Sequence, residues 1–293
     1  MSSVWSWYVI AGTVLTLVGC FWLIVWTNRQ RASDDEIAEA ESHVWDENVR
    51  ELNNPLPMWW LWLFVITVVW SVGYLVYYPG FGSYGGMSGW SQETQYSAEV
   101  AAAEAEYGPM FAAYGAMSVE QLVNDEEALS IGFSLYQNYC SQCHGSTAQG
   151  ARGFPNLTDD VWLWGGTPAA IEQSILHGRS GVMPPLNAVF GSEEAIDEMI
   201  RYVQAMPDGL DTSSPAHTRY MQLCVACHGP TGEGMTALGA PSLVDDSWLY
   251  GSSPTEIRKT IVEGRNGVMP AHADLIGTDR ARILAAYVYS LSR

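Results

Sequence analysis

Two short runs hold the residues best suited to chemistry, Cys140-Ser-Gln-Cys143-His144 and Cys224-Val-Ala-Cys227-His228. In such a frame the two thiols fall about one helical turn apart, so each can add to one vinyl group along a single haem edge. The imidazole that follows can then turn onto the iron. An isolated copy would equally suit a redox or zinc element, but two copies with His at the same following position point to covalently attached haem c. A zinc reading needs four ligands around each metal, and the remaining histidines, His43, His177, His217 and His272, do not recur between the copies. Of the five cysteines only Cys20 lies outside the frames, so a disulfide framework is not the reading.

A haem iron held by His on one face needs a ligand on the other, and the spacing around the frames supplies a candidate. His144 to Pro155 is 11 residues and His228 to Pro241 is 13, while Pro155 to Met183 and Pro241 to Met269 are both 28. Met183 and Met269 are the methionines that recur at equivalent places, each in Gly-Arg-x-Gly-Val-Met-Pro. A thioether opposite His is the low-spin pattern that raises the reduction potential. Proximity along the chain assigns each Met to its own domain's iron. Met206 competes by position, but its counterpart is Leu291, so it reads as core. Pro155 and Pro241 are placed to offer carbonyls that fix the axial imidazole. Arg179 and Arg265 read as propionate partners or as solvated side chains. His43 and His272 read as exposed. With both faces of each iron closed and no nucleophile–base cluster in the chain, no catalytic residue is expected, and electron transfer remains.

These frames sit in the second part of the chain. The first part holds two uncharged apolar runs, Val4 to Trp26 and Met58 to Tyr78, each reaching the roughly 20 residues that cross a bilayer. Trp5, Trp7, Trp22 and Trp26 flank the first, and Trp59, Trp60, Tyr77 and Tyr78 the second, as interfacial belts do. No basic residue precedes Val4, whereas Arg29 and Arg31 follow Trp26. That favours a retained span over a cleaved signal and puts the intervening loop, with Asp34, Asp35 and Glu36, inside. The haem-bearing part then lies in the periplasm of a bacterial inner membrane. Cys20, within the first span, reads as a small packing residue. Net charge is -19, with 10 Lys or Arg against 24 Asp or Glu after Tyr78, which excludes nucleic acid as a partner.

The expected fold is mainly α, with two N-terminal transmembrane helices followed by two tandem class I-like cytochrome c domains. The segments are a transmembrane helix at 1–28, a cytoplasmic loop at 29–56 and a second transmembrane helix at 57–78. A periplasmic linker at 79–124 has a Gly/Ser-rich flexible exit and a helix from Glu93 to Met117. Cytochrome c domains follow at 125–208 and 215–293, joined by a linker over Asp208–Pro215. Both repeat an Asp-Asp-x-Trp-Leu run, at Asp159 and Asp245. Each closes with an amphipathic helix, marked by Ile196, Ile200 and Val203 in one and Ile283, Leu284, Tyr287 and Leu291 in the other.

From residue 53 on, the chain resembles the dihaem subunit of cbb3-type haem-copper cytochrome c oxidases, the CcoP or FixP type. Carrying the resemblance are Asn53-Asn-Pro-Leu-Pro-Met-Trp-Trp at the second span, Tyr77-Tyr-Pro-Gly-Phe-Gly after it, Gly153-Phe-Pro-Asn-Leu-Thr-Asp-Asp, and Gly264-Arg-Asn-Gly-Val-Met-Pro-Ala-His. The first span is found in some members and absent in others. The resemblance implies a chain that takes electrons from a soluble or membrane-bound cytochrome c donor. It passes them through two haems to a monohaem cytochrome c subunit and on to the haem-copper subunit that reduces oxygen. It implies His and Met ligands at both irons, here His144, His228, Met183 and Met269, and that a Met can be exchanged between the domains. The alternatives are a free-standing membrane-anchored dihaem carrier serving another reductase and a dihaem peroxidase; two Met ligands argue against the latter.

Overall fold

A computed structural model describes residues 2–29, 44–45, 49–50 and 56–293. The chain divides into two compact units, Met1–Ala105 and Glu106–Arg293. His43 and the acids expected in the inside loop lie outside the described residues.

In the first unit, α1 (Ser3–Arg29) and α2 (Met58–Tyr77) are helices long and apolar enough to cross a membrane. Neither span buries any of its apolar window. A core helix of a soluble protein would be mostly covered, so these surfaces suit lipid or other membrane helices. Two short strands, β1 (Val44–Trp45) and β2 (Val49–Arg50), pair antiparallel. The Gly/Ser-rich stretch after α2 is more ordered than its composition suggests. It folds back on the helix end, with Met87 N–H donating to the Val76 carbonyl (3.1 Å) and Ser88 N–H to that of Tyr77 (2.9 Å). Ser83 N–H donates to Ser6 Oγ of α1 at 2.9 Å. The expected helix runs from Gln92 to Gly115 as α3 and crosses into the second unit.

The second unit is helical apart from one ribbon. Its elements are α4 (Val119–Leu122), α5 (Glu126–Tyr139), α6 (Ser141–His144) and α7 (Pro168–His177), then β3 (Arg179–Met183), α8 (Asn187–Phe190) and α9 (Glu193–Ala205). The second repeat follows as α10 (Pro215–Leu223), α11 (Val225–His228), α12 (Pro254–Glu263), β4 (Arg265–Met269) and α13 (Ala273–Leu291), the last interrupted at Gly277. Five of the longer helices start where a side chain caps a backbone N–H, at Asp125, Thr167, Ser192, Ser214 and Ser253, whereas α13 follows His272 without such a cap.

Two hydrophobic cores form, and neither belongs to one repeat. The first joins Tyr136 of α5 and Ile171 and Ile175 of α7 to Ile283, Leu284 and Val288 of α13. The second joins Tyr220 of α10 and Ile257 and Ile261 of α12 to Ile196, Ile200 and Val203 of α9. The closing helices therefore exist as expected but complete each other's cores. The cause is the ribbon: β3 and β4 pair antiparallel with Gly181 opposite Gly267 and Arg179 opposite Met269. Each strand crosses from its own repeat to the other, and the helix that follows must bury its apolar face on the far side.

Candidate haem sites and the exchanged methionines

Each Cys-x-x-Cys-His frame is one helical turn, α6 or α11, entered from a longer helix whose buried tyrosine hydrogen-bonds just beyond it. Tyr136 and Tyr220 are fully buried, and their hydroxyls donate to the carbonyls of Gly145 (2.6 Å) and Gly229 (2.7 Å), the residues after the histidines. Both tyrosines precede the first Cys of the frame by four residues, a recurrence present in the sequence that marks them as positioning residues.

The imidazoles of both frames are held in a way that would suit iron coordination. His144 Nδ1 lies 3.0 Å from the Pro155 carbonyl and His228 Nδ1 2.9 Å from that of Pro241. A carbonyl oxygen only accepts, so Nδ1 carries the proton and Nε2 is left with its lone pair free. Burial holds both rings below the ordinary imidazole pKa, although the proline carbonyls act the other way, so both are neutral donors. The thiols argue against a redox disulfide. Burial first, then the paired cysteine, pushes Cys140 and Cys224 up to about 11, whereas a Cys-x-x-Cys redox centre lowers its nucleophile's pKa. Among the described residues no group of three or more His, Cys, Asp or Glu could hold a metal ion.

The methionines sit across from where chain proximity puts them. Met269 packs on the first core, with Cys140, Leu157 and Trp162, and Met183 packs on the second, with Cys224, Leu243 and Trp248. Thus each Met packs against the core that carries the first Cys of the other repeat's frame. The ribbon carries each thioether over with its strand, to the core opposite the one that chain proximity favours. Met206 is buried in the second core, a packing role.

His272, expected to be exposed, is half-buried beside Met269. Its backbone N–H donates to the Ile175 carbonyl at 3.0 Å, and its Nδ1 is buried without a hydrogen-bond partner among the described residues. Such an orphaned polar atom three residues from Met269 fits a pocket completed by a polar group that is not polypeptide. Arg179 and Arg265 are likewise held rather than solvated. Arg179 Nε donates to Ser174 Oγ and Arg265 Nε to Thr260 Oγ1, both at 2.9 Å. Their guanidinium groups lie 5.1 Å from the Trp164 ring centre and 4.2 Å from that of Tyr250.

A family model for the N-terminal domain of cytochrome oxidase-cbb3, FixP, matches residues 38–85. One for cytochrome C oxidase, cbb3-type, subunit III, matches twice, at 127–203 and 214–288. The chain belongs to the subunit III family of cbb3-type cytochrome c oxidases. Similar proteins include the cbb3-type cytochrome c oxidase subunit CcoP of Rubrivivax gelatinosus, 40% identical over all of this chain and 96% of the relative. The FixP subunit of Rhizobium meliloti (strain 1021) is 35% identical over 88% of this chain and 96% of its own, and that of Bradyrhizobium diazoefficiens 38% identical over 85% and 93%. Subunit III membership makes this chain a cytochrome c subunit of a cbb3-type oxidase, whose tandem cytochrome domains bind haem c. The donor set built above fits that group.

Proposed function

We propose that this subunit carries two covalent haems c in the periplasm. It relays electrons from a cytochrome c donor to a monohaem cytochrome c subunit and thence to the haem-copper subunit. Bound haem c supplies a one-electron ferric/ferrous couple. Cys140 and Cys143 would tether one haem and Cys224 and Cys227 the other; His144 with Met269, and His228 with Met183, would ligate the irons. The single observation that supports the reading is that each frame has an Nδ1-anchored imidazole while a Met of the other repeat packs on the core that holds the frame's first Cys. Two protein ligands per iron leave no place for substrate, which favours relay over peroxide chemistry. The two apolar helices anchor the subunit beside the oxidase's membrane part, and the acidic surface suits a basic donor.

Gentle detergent extraction with an affinity tag on this chain tests the assignment. Co-purification of a monohaem cytochrome c and a haem-copper subunit is expected. Recovery of the tagged chain alone, under conditions that keep other respiratory complexes whole, would favour the free-standing carrier.

A further inference from the structure

The two pockets are built on one plan, so the places where their charges differ stand out. Five residues after the axial His, the first repeat has Gln149 and the second Glu233. Fifteen residues after the anchoring proline, the first has Ala170 and the second Glu256. Both differences add a carboxylate to the second pocket.

Each carboxylate is fixed. Glu233 accepts from Thr231 N–H at 3.0 Å and from the Thr231 hydroxyl. It lies against Gly229, where a Cβ would come within 2.5 Å of its carboxyl carbon. Gly229 directly follows His228. Glu256 pairs with Arg265 at 3.5 Å, and their side chains are only 22% and 17% exposed. Arg152 of the first repeat also reaches Glu256, but it is 58% exposed, so solvent screens it more. In the first pocket Arg179 keeps the same carbonyl and hydroxyl contacts, on Ala170 and Ser174, with no carboxylate partner among the described residues.

Reducing an iron adds one negative charge to its pocket. A nearby carboxylate opposes that and an uncompensated guanidinium favours it. Resting on the two-haem reading above, the geometry points to a lower reduction potential for the Cys224–Cys227 haem than for the Cys140–Cys143 haem, set by Glu233 and Glu256. At partial reduction the electron then resides in the first-repeat pocket, and the second repeat is the donor side of the pair.

The test is a spectroelectrochemical titration of the purified full-length chain in detergent, after haem-to-protein stoichiometry has been measured. Glu233→Gln and Glu256→Gln, near-isosteric changes, should each raise the lower-potential wave. The expected change is about threefold in the ratio of reduced to oxidised haem at fixed applied potential, or about 30 mV at 59 mV per tenfold for one electron. Gln149→Glu should lower the upper wave, and Glu126→Gln, on an exposed helix start, should move neither. If the two Glu variants shift the upper wave or no wave, or if Gln149→Glu shifts the lower one, the inference is overturned. A stoichiometry of one haem would instead overturn the two-haem reading itself, before any wave is assigned.

Discussion

Replacing Gly178 by Ala probes the exchange of methionines most directly. Gly178 ends α7 with φ 69, and a Cβ there would lie 2.4 Å from the Met269 carbonyl oxygen, 2.7 Å from the Ala271 nitrogen and 2.8 Å from the Pro270 carbonyl carbon. All three are backbone atoms, so no side chain can turn aside. The left-handed conformation costs Ala about 1–2 kcal/mol. Pushing the Met269–Ala271 backbone back to ordinary contact, roughly 1 Å, adds about 1–3 kcal/mol. For a unit of this size the midpoint of thermal unfolding should fall on the order of 10 °C. More telling is which haem loses its thioether. In a Cys224→Ser/Cys227→Ser background, which keeps only the first-repeat haem, Gly178→Ala should weaken the far-red Met–iron charge-transfer band. Gly264→Ala, whose Cβ would meet the Met183 carbonyl oxygen at 2.4 Å, should leave that band intact. The opposite pattern would refute the exchanged pairing of His144 with Met269.

Further outcomes follow from the same geometry. Tyr136→Phe and Tyr220→Phe strip the half-buried Gly145 carbonyl and the buried Gly229 carbonyl of their donors and should cost about 1–3 kcal/mol by denaturant titration, more at Tyr220; a loss below a few tenths would show that the hydroxyl is dispensable. Met269→His should lower the potential of one haem and leave attachment unchanged, and a redox titration identical to wild type would remove Met269 from the ligand set. His144 and His228 have folded pKa values held down by burial, so the unfolded chain takes up their protons first, near the ordinary value of about 6.5. Their contribution to stability is present above that pH and is lost as pH falls through it toward the folded values. The denaturation midpoint should therefore drop as pH falls below about 6.5, and a flat profile would contradict the neutral-imidazole assignment. The excess of 24 acidic over 10 basic residues after Tyr78 should make the rate of reduction by a basic cytochrome c fall with added salt in stopped flow; insensitivity to ionic strength would point to an apolar docking face.

Much of this was legible in the residues themselves. The paired frames, the prolines whose carbonyls anchor the imidazoles, the recurring Met and the apolar spans all follow from local spacing. The exchange was not, for a physical reason. The faces offered by Ile196, Ile200 and Val203 and by Ile283, Leu284 and Val288 are near-equivalent, so apolar periodicity does not say which core each helix enters. What decides is the antiparallel ribbon of two almost identical five-residue strands, and pairing between distant strands leaves no periodic trace. The half-burial of His272 escaped for a similar reason: it depends on the Ile175 carbonyl, almost a hundred positions earlier in the chain. Tyr136 and Tyr220 could have been found, since their spacing from the first Cys is the same in both repeats.

Interlaced cores also have a consequence for biogenesis. Ala281, Ile283, Leu284, Ala285 and Ala286 are all fully enclosed, and they wall the pocket whose cysteines lie some 140 positions upstream. That wall is made after the frame in chain order, so Cys140 and Cys143 have no closed core around them until α13 has been added. A stop codon after Asp208 would therefore release no miniature monohaem carrier, only a fragment whose α9 has lost its berth and whose α5 has lost its lid.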